Sequence, residues 1–205
     1  KAALKLAEAV QETGVSAWTI CADLTVPDQP ERLFDRAQTQ AGPLDILINN
    51  ASLYQPETLN DTTPASLQTN MQIHATAPLM LSRCLARQDR PCQVLNLLDT
   101  RAVCRDPLHV SYHLSKRTLL TLTRLLAEEL APQVAVNAVA PGLILPPEGE
   151  DETYLQKLAH TNPLNRYGAP ADIVEAALFL LQSEFITGQI IFVDGGHHMK
   201  GRLYE

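Results

Sequence analysis

The sequence predicts an α/β fold in which a parallel sheet is covered by helices, within one domain spanning residues 1–205. Three observations predict it. Short runs rich in β-formers alternate with helical runs along the chain. The 205 residues suit a single domain with a substantial core, since 45% are apolar and 19% charged. No internal repeat, low-complexity tract or linker interrupts the alternation.

Taken in order, the first twelve residues form a helix, and SAWTIC (16–21) reads as a strand. A helix follows over 29–41, then a strand at 44–49 (LDILIN). The helical run 64–88 contains Pro78, which removes a helix hydrogen bond and predicts a kink near 74–77. Strands at 93–98 (QVLNLL), 133–139 (QVAVNAV) and 189–193 (QIIFV) alternate with helices at 109–131, 151–160 and 170–183. The helix from Ser111 to Leu130 is apolar almost all round, so it is expected to be buried by its own sheet on one side and by another subunit on the other.

Composition excludes several functions. A net charge of −7 argues against a nucleic-acid surface, which needs clustered Lys and Arg. No apolar run is long enough to cross a membrane, so no membrane partner is expected. The four cysteines have no CxxC pairing and read as reduced thiols, which points to the cytoplasm. His197 and His198 lack metal-ligand spacing, so no metal is expected.

Chemistry concentrates in NLLDTRAVCRDPLHVSYHLSK (96–116), where Asp99 ends a strand and Tyr112 and Lys116 share one helix face. A free tyrosine is a poor acid or base at neutral pH; an ammonium beside it stabilises tyrosinate and draws Tyr112 toward the working range. By itself such a pair also arises by chance on an exposed helix. ILINNAS (46–52) ends a strand in Asn49, Asn50, Ala51 and Ser52, small and amide residues that let a ligand lie against the backbone or simply make a turn. VNAVAPGLI (136–144) repeats that arrangement at Pro141 and Gly142, and RYGAPADIVEAALFLLQSEFITGQIIFVDGG (166–196) closes with a helix, a turn and a last strand.

In that order and spacing, from Ala22-Asp23-Leu24 to Gly196, these segments resemble the short-chain dehydrogenase/reductase family. The resemblance implies a Rossmann-type, doubly wound parallel sheet, an NADPH cofactor and hydride transfer, with Tyr112 as proton donor and Lys116 as its partner and ribose contact. It puts Asp23 and Leu24 at the adenine, Asn50, Ala51 and Ser52 along the cofactor, and Pro141 and Gly142 at the nicotinamide. It implies a homotetramer. None of the nine glycines forms G-x-G-x-x-G, and the first residues already read as a helix. The first two strands and first helix of the family's 3-2-1-4-5-6-7 sheet are therefore expected to be absent, the chain being a piece of a protein roughly 40 to 50 residues longer.

Two departures narrow the group. Asp99 replaces the serine usual thirteen residues before the tyrosine, and His74, in MQIHATAP, replaces an asparagine. Together with APGLIL these resemble the pteridine reductases, within them the dihydromonapterin reductases. That likeness implies a pterin stacked between nicotinamide and Tyr54, with Ser52 touching both, and a Tyr112–Asp99 pair sharing the proton that reaches N5 while hydride reaches C6. Dihydromonapterin, dihydrobiopterin and dihydrofolate are the candidate substrates. His74 is expected to hold backbone or water, and the acidic run EGEDE (148–152) to form a solvated lid. A generic 3-oxoacyl-type carbonyl reductase and a catalytically silent oligomeric binding protein are the competing readings.

Overall fold

A computed structural model describes residues 2–147 and 149–200; Lys1, Glu148 and residues 201–205, and with them the first residue of both the first helix and the acidic run, lie outside the described residues. Four strands, β1 (Ile46–Asn49), β2 (Cys92–Leu97), β3 (Val134–Pro141) and β4 (Ile190–Val193), form one parallel sheet in the order β1-β2-β3-β4. The register sets Leu47 beside Val94, Val94 beside Val136, and Ala138 beside Ile190. Seven α-helices are described: α1 (Ala2–Gln11), α2 (Gln29–Ala41), α3 (Pro64–Met71), α4 (Ala77–Ala86), α5 (Val110–Glu129), α6 (Glu152–Leu158) and α7 (Pro170–Gln182).

Side chains alternate across the pleat, so β2, β3 and β4 feed cores on both faces, whereas β1 packs Leu47 on one face and leaves Ile46 and Ile48 exposed on the other. Val94, Val134 and Val136 pack with Phe34 of α2, Leu81 and Leu85 of α4, and Leu126 of α5. Ala138 and Ala140 continue that layer onto Leu119. On the opposite face, Leu95 and Val139 pack with Leu180, Ile173, Ala176 and Ala177 of α7. Helices thus cover both faces, the Rossmann-like arrangement. A buried amide chain fixes the register: Asn49 Nδ2 donates to Asn96 Oδ1 (2.8 Å), Asn96 Nδ2 to Thr123 Oγ1 (2.9 Å), and Thr123 Oγ1 to the Leu119 carbonyl (2.8 Å).

Residues 16–21 are a correction to the predicted strand. Among the described residues this segment joins no ladder, since β1 pairs with β2 alone. β-formers make a strand only where a neighbour takes their backbone N–H and C=O groups; here Trp18 is exposed, and the Cys21 carbonyl accepts from Arg36 (3.1 Å). The break at Pro78 takes a particular form. Between α3 and α4 the backbone widens into a π-helical turn, Gln72–Thr76, with Ala77 N–H donating to the Gln72 carbonyl. Helix α5 buries one stripe, including Tyr112, Ser115, Lys116, Leu119, Thr123 and Leu126, and leaves Leu114 and Leu125 exposed.

Candidate active site

All four strands run the same way, so their C-terminal ends meet on one edge of the sheet, where open α/β sheets bind ligands. There β2 delivers Leu97, Leu98 and Asp99, while β3 delivers Pro141 and Gly142. Gly142 is required by the close approach of β4: a Cβ there would lie 2.5 Å from Asp194 Cβ and 2.6 Å from its Cα.

A cavity of about 420 Å³ opens at this edge, lined by Tyr54, Asp99, Arg101, Tyr112, Gly142, Tyr154 and His197 among others. Tyr112 Oη donates to Asp99 Oδ2 (2.8 Å), while the other carboxylate oxygen accepts from the Arg101 backbone N–H (2.7 Å) and caps the short 3₁₀ turn Thr100–Ala102. The aspartate therefore both closes the strand and faces the tyrosine. Burial, then the Asp99 charge and hydrogen bond, push Tyr112 well above its ordinary value. The expected downward shift draws on Lys116 together with a cationic nicotinamide; with the protein's own groups alone the phenol's proton is held by a carboxylate, and Lys116 Nζ stands 5.7 Å from the ring centroid.

Lys116 is itself buried, and desolvation draws its ammonium down to about 8. Among the described residues Nζ meets one hydrogen-bond acceptor, the Leu97 carbonyl at 2.7 Å, out of the three donors an ammonium offers.

His74, in the π-helical turn, ties the Ser52 loop to α5. The Leu53 backbone N–H donates to Nε2 (3.2 Å), so Nδ1 carries the proton and donates to Ser115 Oγ (2.8 Å). Ser115 Oγ donates onward to the Tyr112 carbonyl (2.7 Å), and Ser52 Oγ lies 3.0 Å from Nε2. Burial, reinforced by the Lys116 charge, pushes His74 down to about 3, so the ring is neutral.

Tyr54 lies against Tyr112 edge-on, with ring centroids 4.9 Å apart, and stacks on His109 at 4.0 Å and 17°. The other residues singled out in the sequence are less convergent. Leu24, Asn50 and Ala51 line a separate cavity beside β1 and α4, whereas the Asp23 carboxylate accepts from Thr25 N and Oγ1 in a local turn. Of the acidic run, Asp151 caps α6 through Thr153 N, and the neighbouring Pro147 and Tyr154 border the main cavity. His198 pairs with Asp194 (3.0 Å), and among the described residues no three metal-binding side chains come together.

Several residues in or behind this cavity carried no sequence signal for function. Thr100 Oγ1 donates to Asp194 Oδ2 (2.6 Å), pinning the Asp99 turn to the end of β4. Burial disfavours the Asp194 charge, yet hydrogen bonds from Thr100, His198 and Gly196 outweigh it and hold the carboxyl below the usual range. Arg101, Asp106 and His109 form a further cluster, in which Asp106 Oδ1 closes a local turn by accepting from the Leu108 backbone N–H.

A family model described as enoyl-(acyl carrier protein) reductase matches residues 1–198. The chain belongs to the short-chain dehydrogenase/reductase family. Its relatives within the family include a dihydromonapterin reductase of Citrobacter koseri, 30% identical over 193 residues, covering 92% of this chain and 80% of that protein. Versicolorin reductase of Emericella nidulans is 32% identical over 215 residues, covering 96% and 81%. The crystal structure of FolM alternative dihydrofolate reductase 1 from Brucella canis, complexed with NADP, superposes with a TM-score of 0.87 at 31% identity, covering 96% of this chain and 79% of that one. The chain is thus an oxidoreductase of this family, and its relatives differ in the substrates their names carry.

Proposed function

We propose that the protein reduces a 7,8-dihydropterin to the tetrahydro form with NADPH, and that Asp99, Tyr112 and Lys116 carry the chemistry. The observation that supports this most is the hydrogen bond from Tyr112 Oη to Asp99 Oδ2 at the floor of a cavity that Tyr54 also lines. A ketone needs one hydroxyl donor at its oxygen, whereas a pterin presents ring nitrogens and an amine that an acid can address. The coupled tyrosine–carboxylate pair holds one proton at N5 and passes it there during reduction. The nicotinamide, when bound, supplies the hydride that C6 accepts. The relatives named for pterin and folate reduction support the reading.

The donor set fits such a cofactor. Lys116, a buried cation with one protein acceptor among the described residues, has N–H donors suited to ribose hydroxyls. Asn50, Ala51 and Ser52 follow β1 at the ligand edge with small or polar side chains, and Pro141 and Gly142 do so after β3; these and Asp23 and Leu24 would hold the dinucleotide. Ser52 and Tyr54 would contact the pterin. Opposing a charged tyrosinate, Asp99 keeps Tyr112 protonated until that proton is needed. Leu145, Pro146 and Leu158 add apolar surface to the cavity lining.

Reduction of an acyl carbonyl is the second reading, favoured by the description of the matching family model. NADPH oxidation with a dihydropterin and an acetoacetyl thioester in parallel separates the two. We expect turnover of the dihydropterin, reduced at least ~100-fold in Tyr112→Phe, as for loss of a general acid, and strongly impaired in Asp99→Ala. Thioester turnover alone would overturn the pterin assignment. The protein works as a homotetramer in the cytoplasm on this reading. Val174, Leu178 and Phe179 leave an apolar face of α7 exposed, Phe185 beside it is fully exposed, and all four cysteines are free thiols.

A further inference from the structure

The loop between Asp99 and Tyr112 carries a charged cluster that the reaction as described does not use. Asp106, 8% exposed, accepts from Arg101 Nε (2.7 Å) and from His109 Nδ1 (2.9 Å) through the same oxygen, Oδ2. Its other oxygen accepts from the Leu108 backbone N–H (3.1 Å), so the carboxylate is fixed from three sides. A carboxylate can only accept, which puts the proton of His109 on Nδ1.

Both partners of Asp106 bear on Tyr54. The His109 ring stacks on it, with the Tyr54 hydroxyl 3.2 Å from Nδ1, and the Arg101 guanidinium carbon lies 5.1 Å from the Tyr54 centroid. The two loops are stitched by backbone as well: Glu57 N–H donates to the Leu108 carbonyl (2.7 Å) and Val110 N–H to the Glu57 carbonyl (3.1 Å). Without that support, a half-exposed ring on an irregular loop would have free rotamers to lose on binding.

We propose that Asp106 is a positioning residue for substrate binding: by anchoring Arg101 and His109 it holds the Tyr54 ring as a fixed stacking platform, and it leaves the remaining guanidinium N–H groups of Arg101 at the cavity wall, where they select substrates with a heterocyclic oxygen or nitrogen acceptor. The inference rests on the proposed pterin reading for the identity of that heterocycle. Because stacking is made equally in the bound substrate and the transition state, its loss raises KM and leaves kcat alone.

The test is Asp106→Asn, which keeps the shape and removes the charge. We expect KM for the dihydropterin to rise about tenfold, the scale of one hydrogen bond to a charged group, with kcat within about twofold and NADPH affinity unchanged. The His109 Nδ1–H resonance, protected in the unaltered protein, is expected to be lost. Arg101→Gln and His109→Asn each remove one arm, reproduce part of the KM rise and serve if Asp106→Asn fails to fold; the Asp106→Asn/Arg101→Gln pair is expected to cost no more than Asp106→Asn alone. An unchanged KM overturns the inference, as does a parallel fall in kcat, NADPH affinity and melting temperature. If the unaltered enzyme reduces a carbonyl compound and no dihydropterin, the substrate reading falls, and the same KM split on that compound, with the His109 signal, decides the anchor.

Discussion

His74 makes the stability of this protein depend on acid in a way that can be worked from its surroundings. The ring is 1% exposed, neutral, and held between the Leu53 N–H and Ser115 Oγ, with Lys116 opposing a second positive charge nearby. Its folded-state value is about 3, against about 6.5 for a histidine in the unfolded chain. Between these limits the unfolded state binds one proton more than the folded state, so stability is intact above pH 6.5 and declines as pH falls. The slope is about 1.4 kcal/mol per pH unit, which places the loss near 2 kcal/mol at pH 5. His74→Gln retains an acceptor toward Leu53 and cannot titrate. Urea unfolding of both proteins at pH 7 and pH 5 measures the difference. The variant should be less stable at pH 7, through lost packing and loss of the hydrogen bond that Ser115 Oγ accepts from the ring, yet lose about 2 kcal/mol less on going to pH 5. Equal losses in the two proteins would refute the placement of a neutral, proton-excluding histidine in this turn.

Two other outcomes follow from geometry. Gly142→Ala forces a methyl to 2.5 Å from Asp194 Cβ, so β3 and β4 must part; thermal unfolding should report about 1–3 kcal/mol of destabilisation with loss of turnover, and an unchanged melting curve would contradict the close approach. Phe185→Glu places a charge where an apolar subunit contact is proposed; sedimentation should show the tetramer replaced by smaller species with helix content retained, and an unaltered mass would remove this face from the interface.

Where a stretch carries its own periodicity, sequence and structure coincide. The helix read at 109–131 is α5, Val110–Glu129, and the strand read at 133–139 is β3, Val134–Pro141, because both bury long regular apolar patterns. The segment 16–21 shows the limit of that logic. Its composition favours a strand, but strand formation is a property of pairs, and no described neighbour completes one. Pro78 announced that the helix must break without saying that it would widen around His74. In the site, Asp99, Tyr112 and Lys116 stood out because fixed spacings on a strand end and a helix face survive in one dimension. Arg101, Asp106 and His109 meet in an irregular loop with no period, so their convergence on Tyr54 is visible only in three dimensions. The direction of the Tyr112 shift in the protein alone was not legible either: its sign depends on how far the phenol is buried and which charge lies nearer, and Asp99 lies nearer than Lys116.

The widened turn at Gln72–Thr76 is equivalent to one residue inserted into an otherwise continuous helix. An insertion of that kind offsets the two flanking segments by about 100° around their common axis. Before it, α3 is free to meet α5, with Ser66 Oγ 3.4 Å from Ser111 Oγ; after it, Leu81 and Leu85 of α4 are free to face the sheet. A uniform helix would have to serve both neighbours with one stripe, and the imidazole would not sit where the two obligations change over. Deleting a single residue here would restore a regular helix and set those stripes against each other. Length in this segment is therefore constrained as well as composition: at positions other than the buried His74 and Ala75, exchanges of side chain should be accepted where the loss of one position is not.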